Sequence, residues 1–412
     1  MKKLFLSLYI LLIINLGFGM NIDYGASIDS FLGFHISDSS YMFGYQKVSI
    51  YSSLDITNSV SFAVDGFYKL SYSSESSSTV KNVFDLSTLL ISFPVKNMSL
   101  NIGRDYISDY SGDILNHVLD GISLSLALGP GVLNTHILLS SLINDNEVSL
   151  FTTSNDDGGV SRVIEGVDYI KEFDSMTIWA SLYSSQDVNS FVNLALYLGG
   201  GVSGTIKDDI FYSFRSNLLT GQFFYLDNIT TEDKGAPLLA GMGVISTTWF
   251  MNFDNEIIRR LSPFIRVDFG ISSGDSKLNT QTLGANQGDI SISDGVHLYS
   301  PLTTGGPGTI YSINNQNLTY FKIQNSVSPM ENLQAQLGST IFFRTVDGVI
   351  SDEDLKSNVS GNYLGLEVSL VGNYRPFSDL GVSVSGGVFF PNKAVLDSSV
   401  SGMLAAYLSL SI

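Results

Sequence analysis

The final stretch of the sequence, Leu404-Ala405-Ala406-Tyr407-Leu408-Ser409-Leu410-Ser411-Ile412, alternates apolar with small or polar residues, and stretches like it recur along most of the chain. In an extended strand, successive side chains point to opposite faces. Leu404, Ala406, Leu408, Leu410 and Ile412 therefore fall on one side, and Met403, Ala405, Tyr407, Ser409 and Ser411 on the other. A strand at the end of a sheet exposes unpaired N–H and C=O groups, and closing the sheet by pairing the last strand with the first removes that edge. Within hydrocarbon, a closed barrel and a helix are the only structures that satisfy every backbone group. The expectation is a transmembrane antiparallel up-and-down β-barrel.

The same pattern accounts for the composition. Hydrophobic residues make up 44% of the chain and charged ones 15%, and mean hydropathy is positive despite abundant Gly and Ser. A barrel accommodates this because half of each strand meets lipid and half meets water. There is no cysteine, which removes disulfide frameworks, thiol catalysis, Cys-ligated zinc and a lipoprotein's acylated cysteine. Lys2 and Lys3 precede an apolar run from Leu4 to Leu16, followed by Gly17-Phe18-Gly19, as in a secretory leader with its cleavage site. That run is short for a membrane-spanning helix. The expected organisation is a signal peptide over residues 1–19 and a single barrel over 20–412, placed in an outer membrane with outer-membrane lipid and the barrel-assembly machinery as partners. Many such barrels end on an aromatic residue, and this sequence ends Ser411-Ile412.

Strand-like segments lie near Asn21–His35, Tyr41–Asp55, Ser59–Ser73, Asn82–Val95, Met98–Ile107, Val118–Leu128, Val132–Leu142, Val163–Phe173 and Met176–Ser184. Others lie near Val192–Gly199, Gly204–Asn217, Leu239–Met251, Phe264–Ser273, Thr319–Val327, Leu333–Thr345, Tyr363–Tyr374, Leu380–Phe390 and Val400–Ile412. The even counts in range are sixteen and eighteen, with eighteen preferred, and a barrel of about 16–18 strands encloses an aqueous channel. Leu128-Gly129-Pro130-Gly131 reads as a tight turn, and so does Gly199-Gly200-Gly201.

Charged residues inside strands decide which face looks inward, because an Arg or Lys facing lipid at the midplane costs roughly 2–4 kcal/mol. Val60, Phe62, Val64, Gly66, Tyr68, Leu70 and Tyr72 oppose Ser61, Asp65, Lys69 and Ser71; Ile265, Val267 and Phe269 oppose Arg266 and Asp268. Leu364, Leu366, Val368 and Leu370 oppose Gly365, Glu367 and Ser369. The candidate pore-lining set is Asp65, Lys69, Arg104, Arg266, Asp268, Glu367 and Arg375, with Tyr320, Gln324, Gln334 and Gln336 able to hydrogen-bond a hydrated solute. A plainer role, neutralising one another within the wall, is open to each charged residue. The segment from Gly274 to Asn317 lacks sustained alternation and includes the polar tract Asn279-Thr280-Gln281-Thr282, which marks a long loop that either constricts the pore or lies outside it.

Tyr363-Leu364-Gly365-Leu366-Glu367-Val368-Ser369-Leu370-Val371-Gly372-Asn373-Tyr374-Arg375, followed by Gly386-Gly387-Val388-Phe389-Phe390-Pro391, resembles the end of outer-membrane porins of the alginate-export type. Asn101-Ile102-Gly103-Arg104-Asp105 and Leu119-Asp120-Gly121-Ile122 are similar to their Gly-Arg and Asp-Gly strands. The resemblance implies a monomeric eighteen-stranded barrel that passes a charged saccharide or another small hydrophilic solute. A polyanion calls for a basic lumen. With 21 Lys+Arg against 39 Asp+Glu, the charge balance argues against alginate itself.

Other chemistries find little support. His35, His117, His136 and His297 are scattered without metal-ligand spacing, and pairs such as His117 with Ser123 or His136 with Ser140 are selected by no motif. Asn155-Asp156-Asp157-Gly158 offers oxygen ligands without the spacing of a calcium loop. No cofactor motif and no basic, aromatic-interleaved patch for nucleic acid is present. The expected function is a water-filled, non-enzymatic channel for passive diffusion of small hydrophilic solutes or saccharides; the alternative is a barrel serving as a platform for loop-mediated surface binding or adhesion.

Overall fold

The computed structural model describes residues 21–37, 39–57, 59–75, 79–140, 162–187, 194–227, 232–253, 255–276, 297–299, 302, 306–311, 313–348, 350, 360–396 and 399–412. The expected leader, the Asn279–Thr282 tract and the Asn155–Gly158 segment lie outside these residues. The strands are β1 (Asn21–Ile36), β2 (Tyr41–Thr57), β3 (Val60–Ser73), β4 (Thr79–Val95), β5 (Met98–Ser108), β6 (Asn116–Leu128), β7 (Gly131–Leu139), β8 (Arg162–Phe173) and β9 (Met176–Asp187). They continue as β10 (Leu194–Ile206), β11 (Ile210–Asp227), β12 (Glu232–Phe250), β13 (Phe264–Ser272), β14 (Leu318–Met330), β15 (Leu333–Arg344), β16 (Tyr363–Phe377), β17 (Leu380–Pro391) and β18 (Ser401–Ser411). A short helix, α1 (Glu256–Arg260), sits between β12 and β13.

Each strand pairs antiparallel with the next, and the sheet of eighteen closes on itself through β1 and β18. The closing register runs from Ser27 opposite Ser411 to Ile36 opposite Gly402, and Ala26 and Ile412 exchange both backbone hydrogen bonds at 2.9 and 2.8 Å. All backbone edges are thereby paired within the wall, as a hydrocarbon solvent requires.

The outer face is apolar. Phe214, Ile245, Phe269, Phe321, Ile341, Leu366 and Phe390 stand in register across β11 to β17 and form one continuous row. Residues of this face are exposed to the surroundings: Leu370 is 57%, Leu198 54% and Ile245 52% accessible. An apolar band this large is stable only against lipid. The opposite face carries Ser246, Asp268, Lys322, Thr340 and Glu367, also in register.

The two rims differ. One holds the start of β1, the end of β18 and short turns such as Lys96-Asn97, Gly129-Pro130 and Glu331-Asn332, whereas the other carries the long connections after β7, β13 and β15. Gly129 adopts φ +61° with open space around its Cβ position, so the turn between β6 and β7 uses glycine for its backbone alone.

The triple glycine is not a turn. Gly199, Gly200 and Gly201 lie inside β10, and the chain reverses at Lys207-Asp208-Asp209, where Lys207 takes φ 52°. A Cβ on Gly201 would stand 2.3 Å from the Trp179 ring, and one on Gly199 2.6 Å from the Asn217 amide oxygen. These glycines make room for bulky inward-facing neighbours on β9 and β11, a demand of packing that mimics a turn signal in sequence.

Candidate functional site in the barrel interior

Two connections fold back against the interior face. In the first, between β5 and β6, the Asp109 carboxylate accepts the N–H groups of Ser111, Ile114 and Leu115 at 3.0, 2.9 and 2.7 Å. That coil presents Ile114 and Leu115, both wholly buried, to an apolar cluster with Tyr183, Tyr197, Leu219 and Tyr299. The Leu302 N–H donates to the Ile114 carbonyl at 3.0 Å, joining this coil to the long connection after β13. Asp113 completes the docking with an ion pair to Arg215 of β11 at 2.5 Å. Burial raises the Asp113 carboxyl to about 6 despite the guanidinium beside it. Burial also raises Asp109, outweighing the N–H groups it accepts.

The second inward element belongs to the segment expected to be a long loop. Thr309, Ile310 and Tyr311 donate their backbone N–H groups to the Glu367 carboxylate at 2.8, 2.9 and 2.9 Å. The Tyr311 ring stacks on Phe389 at 4.1 Å and 3°, and the Lys322 ammonium donates to the Pro307 carbonyl at 3.0 Å. Ile310 and Tyr311 pack on a second apolar cluster that includes Ile313, Phe342, Leu364 and Phe389. A carboxylate that accepts three amides is a strong local anchor, because hydrogen bonds to charged groups exceed neutral ones.

The wall formed by β1 to β4 differs. Neither apolar cluster contains a residue from it. Its interior face carries His35, Tyr41, Phe43, Phe31 and Tyr45 as a continuous row of part-exposed rings, with successive centroids 4.9, 5.7, 5.6 and 5.5 Å apart. Gly33 lies beneath Phe43, where a Cβ would stand 2.6 Å from the ring. Lys47 and Lys69 face each other in register; Lys47 sits over Phe67 at 4.4 Å and Lys69 over Tyr45 at 4.6 Å. Asp29, opposite Lys47, accepts the Tyr407 hydroxyl at 2.6 Å.

The structure places the seven sequence-selected residues in different surroundings. Asp65 accepts the Ser87 hydroxyl at 2.8 Å and shares β3's inward face with Lys69. Arg266 and Asp268 meet directly at 2.9 Å, and Glu367 holds the loop from further along the same wall. Arg104 is buried and paired with Asp120 at 3.1 Å, just after Gly103 at φ +133°, a backbone that plain alternation does not describe. Arg375 is exposed at the short-turn rim beside a cavity of about 380 Å³ that Gln334, Asn373 and Ser383 also line. Gln324 donates to Gln336 at 2.6 Å, and Tyr320 is buried over Gly270.

Sequence reasoning passed over Asp109, Asp113, Arg215 and Lys322. The parity of β11 and β14 offered a signal for Arg215 and Lys322. Nothing periodic marks the two aspartates.

One polar network bears on the enzymatic reading. Ser123 Oγ lies 2.9 Å from His136 Nδ1, whose Nε2 is 3.6 Å from Asp168, and Asp168 accepts the Tyr183 hydroxyl. The arrangement links β6, β7, β8 and β9. The His–Asp separation exceeds a hydrogen bond, and Ser123 and Asp168 are buried in the wall. Its chemistry is that of a cross-strand brace.

No protein-family profile and no curated protein sequence matches the chain. Solved structures do. OpdK of Pseudomonas aeruginosa, crystallised with vanillate, is 9% identical with TM-score 0.65 over 95% of this chain and 98% of that one. OccK2 (OpdF) of the same organism, in complex with glucuronate, is 10% identical with TM-score 0.62 over 95% and 98%. The outer membrane protein OprD of P. aeruginosa is 12% identical with TM-score 0.57 over 94% of each chain. The likeness is one of fold: a closed eighteen-stranded antiparallel barrel.

Proposed function

We propose that this chain is an outer-membrane porin, a water-filled channel through which small hydrophilic solutes diffuse passively. The observation that carries this reading is the reversal of polarity across a closed wall: in-register apolar rows outside, charged and hydroxylated residues inside, and, among the described residues, two inward-folded connections that pack against β5 to β17. The path for solute then follows β1 to β4, past Asp65 and Lys69, with Arg266 and Asp268 facing it from across the lumen and Arg375 at the exit. Arg104 and Glu367 act as positioning residues of the wall and its loop. Lipid covers the outer face, assembly machinery inserts the barrel, and the leader directs export.

Vanillate and glucuronate, bound by two proteins of this fold, are single-ring solutes, and small solutes of one or a few rings fit the reading better than a long polymer does. In the alginate-export resemblance, Glu367 belongs to the Leu-Gly-Leu-Glu tract, and a carboxylate engaged by three loop amides serves to anchor the loop rather than to contact a polyanion. Planar-bilayer recording on purified protein tests the proposal. Discrete, reproducible openings are expected; a silent barrel would overturn it in favour of a loop-bearing platform.

A further inference from the structure

An aqueous lumen has no need of a row of aromatic rings. Yet His35, Tyr41, Phe43, Phe31 and Tyr45 run ring against ring, stacked or tilted, along a wall that contributes no residue to either apolar cluster. At about 3.4 Å per residue, the span from Tyr41 to Tyr45 on β2 and from Phe31 to His35 on β1 is roughly 14 Å of strand. That is longer than the footprint of one six-membered ring.

The row is also flanked by groups of a particular kind. At its lower end, Tyr45 meets Lys69, and Lys69 faces Lys47 in register. Like charges placed directly opposite in a sheet repel. Asp29 and the Tyr407 hydroxyl adjoin them on β1 and β18. Ser71 and Ser73 stand in register with Tyr45 and Phe43 on β3. The wall is therefore amphipathic across its width, with part-exposed aromatic rings in one strip and ammonium, carboxylate and hydroxyl groups beside it.

We infer that this strip is a binding track for a short linear oligosaccharide, whose sugar rings rest their C–H faces on the aromatic row while their hydroxyls reach Lys47, Lys69 and Asp29. Sugar rings carry an apolar face and a polar rim, the same division the wall presents. A run of contiguous aromatic rings engages several sugar units in turn. Aromatic side chains supply rigid contact area at low conformational cost, and Tyr adds a hydroxyl at its tip. The inference deepens the channel reading and rests on it for the direction of entry.

The test uses the full-length barrel in a planar bilayer, with linear glucose oligomers of one to six units added on the long-loop side. Transient current block should lengthen by about tenfold between one unit and three, then level off as the track fills. Phe43→Leu and Tyr45→Leu, which keep an apolar side chain and remove the ring, should shorten the block by a similar factor, read against each variant's own open current, while leaving barrel refolding intact. Calorimetry of the same oligomers with the detergent-solubilised protein reads binding without current. Binding with no conductance would overturn the channel and leave the track standing. Conductance with neither block nor calorimetric binding would overturn the track and leave the channel. Block that is equal for one unit and six, or stronger for benzoate than for any oligomer, would also overturn the track.

Discussion

The walls β1–β4 and β5–β17 are built from the same strand pattern and meet the lumen differently. Along β5–β17, two described connections fold against the interior face, which holds both apolar clusters and pairs or hydrogen-bonds Arg215 and Glu367 beneath them. Along β1–β4, Ser49 is the only non-glycine residue buried among the described ones, and aromatic rings and two lysines face the opening. The strands therefore set the size of the barrel, while the connections decide which part of its inside is pore. Asymmetry of this kind rests on two anchors, Glu367 and the Asp113–Arg215 pair.

Removing the stronger anchor should disturb the comparison most. Glu367→Ala leaves three backbone N–H groups without their acceptor, and each hydrogen bond to a charged group contributes on the order of 1.5–3 kcal/mol. Amide exchange at residues 309–311 should accelerate by about a hundredfold or more, and conductance should rise as the loop leaves the wall. Unchanged protection would mean that stacking of Tyr311 on Phe389, rather than the carboxylate, holds the loop.

The second anchor should respond to pH. Asp113 has a raised carboxyl in the docked state, about 6 against an ordinary 3.8. A group whose docked pKa lies above its free value binds its proton more tightly when docked. Docking is thus favoured in acid, and the advantage is lost as pH rises from about 4 through 6. Arg215 and Asp109 face the same group, and Arg215 stays charged across that range. After correction for intrinsic exchange, amides of residues 109–115 should be better protected at pH 5 than at pH 7.5. Asp113→Asn should abolish the step; a step that survives it belongs to another group.

How much of this is legible in the sequence follows from what periodicity encodes. A period of two identifies strands and assigns faces, so the eighteen segments, the inward direction of Lys69, Arg266 and Glu367, and the Leu128–Gly131 turn can all be read from residue order. It fails where another demand uses the same residue. The triple glycine answers to Trp179 and Asn217 rather than to a turn, which displaces the boundary between β10 and β11. Periodicity also cannot see across the lumen. That Asp113 reaches Arg215, or that Glu367 gathers three amides from a segment more than fifty residues away in sequence, depends on closure of the whole barrel.

A smaller effect is expected on the β1–β4 wall. Lys69 is part-exposed and rests over a ring, so Lys69→Ser should change stability by no more than about 0.5 kcal/mol. It removes a positive charge from the proposed path, and the reversal potential in a salt gradient should move toward cation preference. A potential identical to the parent's would place the path elsewhere.

Arg266→Ser makes the same change in formal charge on the opposite wall and should have the smallest effect of all. Arg266 is already matched by Asp268 at 2.9 Å, so its field at a distance is largely cancelled. Lys322 stands next to Asp268 in register and inherits it as counter-charge when the guanidinium is lost. The shift in reversal potential should therefore have the same sign as that of Lys69→Ser and a smaller size. If it is the larger of the two, ions pass closer to β13 than to β3, and the path assigned to β1–β4 is overturned.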